Sequence, residues 1–266
     1  MGQLEPHSGG KTFPPQGPVS PPAGLGQPIL VLGGFLISAE AYKPMAEELQ
    51  RLSQQEVAVV PVSKFDWLLT VFAFGWARIL DRVAAAVQEL AAGSATGKVT
   101  LIGHSSGGIM LRLFLADGPF ERRHYRGREQ ADTLVMLGSP HTAIKATPLR
   151  QLVAQQLPGA WFGRATESHA VRYFSVAGDL RLDDPGVNAT ARRLAPTAYR
   201  NSTGRSDDHG DGLVPVRSAL LEGSETLVLS AVAHGGAFGC RWYGSPDVVR
   251  LWWQQLAQPR LSDPPA

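Results

Sequence analysis

The chain has 266 residues, 44% hydrophobic and 18% charged, with a formal net charge of +2. That length suits one domain or at most two of ordinary globular composition, and the small net charge gives no reason to expect a nucleic-acid partner. The single cysteine, Cys240, excludes an intramolecular disulfide.

Residues 1–27 are rich in Pro and Gly and read as a disordered tail, because such a segment buries too little apolar surface to offset its ordering entropy. Residues 259–266 read as a second flexible tail, which leaves 28–258 as one domain. No charged start followed by an apolar core marks a secretory leader. No apolar run reaches the roughly 18–20 residues that span a bilayer. The expectation is a cytoplasmic protein, with peripheral membrane contact left open and no obligate protein partner.

Within the domain, short apolar runs alternate with helical patterns. Residues 28–32 read as a first strand running into Gly33-Gly34, and 41–52 as a helix. Residues 57–62 read as the second strand, 76–92 as a helix stopping at Gly93, and 98–102 as the third strand. A helix follows through Ile109–Leu115. Strands at 133–137, 171–176 and 226–229 and a helix at 246–256 complete the pattern. Strands that are apolar throughout and separated by helices predict an α/β fold, with a mostly parallel sheet of about six or more strands covered on both faces. Two connections are long, about 141–170 and 177–224, and the first reads as a small cap.

Gly103-His104-Ser105-Ser106-Gly107 matches G-x-S-x-G between a strand and a helix, the setting in which this motif holds a nucleophilic serine on a tight turn. Side chains at 103 and 107 would collide there. Ser105 is the candidate nucleophile. It needs a base, and the base needs an orienting acid. His234 follows the last strand, and Asp211 lies between the fifth and sixth in Gly210-Asp211-Gly212-Leu213-Val214-Pro215. This matches the chain order Ser, then Asp or Glu, then His that accompanies a G-x-S-x-G serine between strand and helix. Asp179, Asp207 and Asp208 are the competing acids. For the oxyanion hole, the expected donors are the N–H groups of Phe35 and Ser106, with Gly33-Gly34 letting the backbone approach. Gly34, His104, Trp67 and Leu68 are the expected substrate contacts. Residues 67–76 form the most aromatic stretch, suited to an acyl pocket, to a lipid surface or to burial against the sheet. Cys240 reads as a packing residue.

On Val31-Leu32-Gly33-Gly34-Phe35, Gly103-His104-Ser105-Ser106-Gly107-Gly108, Leu137-Gly138-Ser139-Pro140-His141, Asp211-Gly212-Leu213-Val214-Pro215 and His234-Gly235, the chain resembles the lipase and esterase branch of the α/β-hydrolase superfamily. It is similar to bacterial triacylglycerol lipases and the GPI inositol-deacylase-like group. Residues 34–42 and 66–71 are also similar to uncharacterised α/β hydrolases of cyanobacteria and plastids. The resemblance implies the α/β-hydrolase fold and a serine hydrolase that cleaves a lipid or other apolar acyl ester through an acyl-enzyme. Amidase or thioesterase chemistry and a catalytically silent binding module are the alternatives. One departure stands out: many lipases carry His-Gly where this chain has Gly33-Gly34, so the backbone donors survive and a side-chain contact is lost. No cofactor is expected. No carboxylate set suggests a metal site.

Overall fold

A computed structural model describes residues 26–142, 144–145, 153, 170–183 and 187–258. Residues 1–25 and 259–266, and nearly all of the expected cap including Trp161 and Phe162, lie outside the described residues.

Alternation along the strands decides the layering. In β1 (Ile29–Leu32), Leu30 and Leu32 pack on one face of the sheet and Ile29 and Val31 on the other. The chain then forms a 3-10 turn at Ala39–Tyr42, α1 (Lys43–Ser53), β2 (Val57–Val59), α2 (Lys64–Leu69), α3 (Ala73–Gly93), β3 (Val99–His104) and α4 (Ser106–Leu115). Next come β4 (Ala131–Leu137), β5 (Arg172–Asp179), α5 (Ala189–Thr203), a helical turn α6 (Val216–Ala219), β6 (Glu225–Ser230) and α7 (Pro246–Leu256). Among the described residues six strands pair in the order β2-β1-β3-β4-β5-β6, and each of these pairings is parallel. Helices α3 and α4 cover the face of Leu30 and Leu32, and α1 and α7 cover the other.

Some elements differ from the sequence pattern for identifiable reasons. Strand β2 stops at Val59, ahead of Pro61, which has no N–H to give a ladder. Helix α2 is additional. Ser63 caps it, accepting the Asp66 N–H at 3.2 Å, while the Asp66 carboxylate accepts the Ser63 N–H at 2.9 Å. Asp66 is buried and also accepts from Arg78 and Arg82 on α3, which ties the aromatic segment to the sheet-covering helix. Helix α5 is additional as well, within the expected long connection. Asn188 caps it, Gly204 ends it in a left-handed conformation, and Pro196 lies inside it. Cys240 is exposed rather than packed. No helix among the described residues is long and apolar enough to cross a membrane.

Candidate active site

All strands run in parallel, so their carboxyl ends share one edge, and the loops leaving that edge carry the site. Strand β3 ends at His104, and Ser105 turns the chain into α4 with φ 52° and ψ −123°. L-residues rarely adopt this conformation, and its strain turns the side chain out of the sheet edge. The glycines around it are forced by contact. A Cβ at Gly103 would lie 2.4 Å from Gly108 Cα, and one at Gly107 would lie 2.3 Å from the Leu32 carbonyl oxygen. The Ser105 N–H donates to the Leu137 carbonyl at 2.9 Å, which anchors the turn to the end of β4.

Asp211 sits in a tight loop after β5, where Gly210 bridges to Leu180 and to Pro215. One carboxylate oxygen, Oδ1, accepts the N–H groups of Leu213 at 3.0 Å and Val214 at 2.7 Å. The other, Oδ2, lies 2.8 Å from His234 Nδ1 and accepts the Tyr243 hydroxyl at 2.9 Å. Asp211 is fully buried, so these four bonds are what keep it satisfied. The loop after β6 brings His234 into place, and its N–H donates to the Asp211 carbonyl at 2.8 Å.

These contacts fix the imidazole's protons. A carboxylate can only accept, so His234 Nδ1 carries the hydrogen and Nε2 presents its lone pair. Nε2 lies 3.0 Å from Ser105 Oγ, within reach of the serine proton. The arrangement can therefore take the proton from Ser105 as it attacks and hold the resulting imidazolium against Asp211. The competing acids do not reach His234, and Asp179 Oδ1 is buried with no hydrogen-bond partner among the described residues. Asp179 faces His209 at 3.8 Å, and Asp207 and Asp208 pair with Arg205 and Arg217.

The Phe35 N–H donates to no described group, and Ser106 opens α4, where an N–H has no intrahelical acceptor. Both residues line the cavity that Ser105 and His234 face. The cavity measures about 750 Å³, within the range of small-molecule sites. Its apolar wall includes Ile37, Trp67, Val71, Trp76, Val214 and Phe238. Asn201 and Ser202 of α5, with Lys145, form a polar side.

The expected substrate contacts divide. Trp67 lines the cavity, with its ring edge-on to Phe35 at 6.2 Å. Leu68 does not: successive residues of α2 point about 100° apart, and Leu68 faces outward with 53% exposure. Gly34 and His104 are buried behind the wall rather than on it. A Cβ at Gly34 would lie 2.9 Å from Ser105 Cβ, and both His104 ring nitrogens are taken up by protein groups. Tyr243, Tyr42 and the α5 lining join the site without having been among the expected residues. A tyrosine whose hydroxyl reaches a distant loop leaves no one-dimensional signature. For α5 the Asn188 cap and Gly204 stop were available, with Pro196 between them.

By sequence, no family model and no curated protein matches the chain. By structure, it is similar to the Bacillus licheniformis lipase BlEst2 in propeptide form, at 17% identity and TM-score 0.59, over 94% of this chain and 54% of that one. The chain thus spans about half the length of that lipase. It is also similar to the metagenomic carboxyl esterase MGS0156, at 13% identity and TM-score 0.51, over 95% of this chain and 82% of that one. The fold is the α/β-hydrolase fold.

Proposed function

We propose that this protein is a serine hydrolase that cleaves carboxylic esters with an apolar acyl group. One observation carries the reading: Ser105 Oγ, His234 and Asp211 form a continuous hydrogen-bonded chain, with steps of 3.0 and 2.8 Å, at a largely apolar cavity. The order Ser105, Asp211, His234 along the chain is the order the resemblance implies.

In this mechanism His234 takes the Ser105 proton as Oγ attacks the ester carbonyl. The Phe35 and Ser106 N–H groups receive the developing oxyanion; one such donor is worth about 10² to 10³ in rate. Protonated His234 passes its proton to the leaving alcohol, and the acyl group remains on Ser105. Water, deprotonated by His234, then attacks the acyl carbonyl, and its proton returns to Ser105 as the acid leaves. Asp211 holds the tautomer and stabilises the imidazolium throughout.

The acyl chain is assigned to the side walled by Trp67, Val71 and Trp76. Phe65, Phe72 and Phe74 are more than half exposed beside it, and this rim is the face we assign to a lipid surface. The test is hydrolysis of p-nitrophenyl esters from acetyl to palmitoyl. Higher kcat/KM for medium or long chains supports the reading, and a strong preference for acetyl overturns the apolar-acyl assignment. Parallel thioester and amide substrates separate ester hydrolysis from the other acyl transfers open to the same residues.

A further inference from the structure

His104 precedes the nucleophile and is fully buried. Its Nε2 lies 2.8 Å from the His234 carbonyl oxygen, and its Nδ1 lies 2.7 Å from the Tyr42 hydroxyl. The same hydroxyl accepts the Gly34 N–H at 2.7 Å. Only one proton arrangement satisfies all three contacts in a neutral ring. The carbonyl accepts, so Nε2 carries the hydrogen, and Nδ1 accepts the Tyr42 proton. Burial, with His234 beside it, holds the His104 imidazole well below its usual pKa, so the neutral form persists.

The bridge joins the two loops that matter most in the proposed chemistry. At one end Gly34 precedes Phe35, the expected oxyanion donor. At the other end is the backbone of His234, the expected base. Gly33 belongs to the same unit, since a Cβ there would lie 2.4 Å from the Tyr42 ring. The tyrosine ring occupies the space that a side chain at 33 would need. Trp242 closes the unit from outside, edge-on to Tyr42 at 5.8 Å and to His104 at 5.7 Å.

We infer that Tyr42 and His104 are positioning residues that set the Phe35 N–H and His234 relative to Ser105 through the bridge Gly34–Tyr42–His104–His234. Neither side chain lines the cavity, so they act on geometry and not on substrate binding. The inference rests on the serine-hydrolase reading, and its test separates the two.

The test compares Tyr42→Phe, His104→Gln and His104→Phe with wild type on a p-nitrophenyl ester, alongside amide hydrogen exchange. Tyr42→Phe keeps the ring and removes both hydrogen bonds. It should lower kcat about 10- to 100-fold, the scale of a small misplacement of reacting groups, with KM held within about two-fold. Glutamine offers one acceptor and a donor, so His104→Gln should lose much less than His104→Phe. Exchange at residues 233–238 should rise about five-fold in Tyr42→Phe, as expected for a lost buried hydrogen bond. An active wild type with unchanged kcat in Tyr42→Phe overturns the inference and leaves the hydrolase reading intact. A wild type inert to esters, thioesters and amides overturns the hydrolase reading. In that case exchange decides the bridge: a rise at 233–238 supports the coupling, and unchanged exchange overturns it.

Discussion

Tyr243 donates its hydroxyl to the same Asp211 oxygen that faces His234 Nδ1, and it accepts the Gly178 N–H at 2.6 Å. Tyr42 does the parallel thing on the other side, between the Gly34 N–H and His104. Each tyrosine ties the backbone of a glycine to a side chain of the site. Burial, with the charge of Asp211, pushes the Tyr243 phenol well above its usual pKa, so it remains a donor over any working pH. Tyr243→Phe should therefore destabilise the protein by about 1–2 kcal/mol and lower kcat/KM about ten-fold through a less constrained Asp211. Denaturant melts and steady-state kinetics check both. Unchanged kinetics would reduce Tyr243 to a packing residue.

Asp211→Asn retains the shape of the side chain and reverses the hydrogen-bond logic. An amide nitrogen facing Nδ1 favours the tautomer with the hydrogen on Nε2, which cannot accept the Ser105 proton. The expected loss is about 10⁴-fold in kcat, with little change in KM. A loss below ten-fold would move the acid elsewhere, with Asp179 the next carboxylate to test.

Ser105 stands at φ 52° and ψ −123°, a conformation that costs about 1–3 kcal/mol in any residue other than glycine. Two inactive variants should thus differ in stability. Ser105→Gly should be more stable than Ser105→Ala by about 1–2 kcal/mol, because only glycine adopts this conformation without strain. For a domain of this size that is a gain of about 2–4 °C in melting temperature per kcal/mol. Equal melting temperatures would show that the turn stores no strain.

Asp66 offers a pH test of the cavity wall. Burial pushes its carboxyl up, but hydrogen bonds from Arg82 and Ser63 and the Arg82 charge outweigh that and hold it far below the usual carboxylate range. A depressed folded pKa stabilises the fold above the unfolded value of about 3.9. That contribution falls away as pH drops from there toward the folded pKa. Asp66→Asn should lower stability by about 1–3 kcal/mol at neutral pH, and the difference from wild type should shrink below about pH 4. Melting temperatures of both proteins from pH 3 to 7 decide it. A pH-independent difference would contradict the ionic role of Asp66.

The sheet was legible in the sequence because its inner strands are apolar on both faces, so each appears as a run such as residues 29–32 or 133–137. Ser105, Asp211 and His234 could be selected because strand order confines loop residues to one edge and chain order ranks them. The wall of the cavity was harder to read. Helix α2 carries a capping signal at Ser63 and Asp66, yet its aromatics obscure the helical period. Helix α5 buries only Ala191, Ala195 and Tyr199, too few apolar positions to stand out, and Pro196 interrupts the pattern. Leu68 and Trp67 are neighbours in sequence and face different surroundings because α2 turns between them. Tyr42 and Tyr243 act through hydroxyls that meet residues 62 and 32 positions away, a relation set by the fold alone.

The proposed chemistry makes Ser105 a nucleophile activated by His234. The most direct test is to treat the folded protein with a fluorophosphonate and map the adduct by peptide mass spectrometry. An activated Ser105 gives a single adduct on Ser105, lost in Ser105→Ala and slowed by orders of magnitude in His234→Ala. An unmodified wild type, or an adduct on another residue that persists in Ser105→Ala, would contradict it.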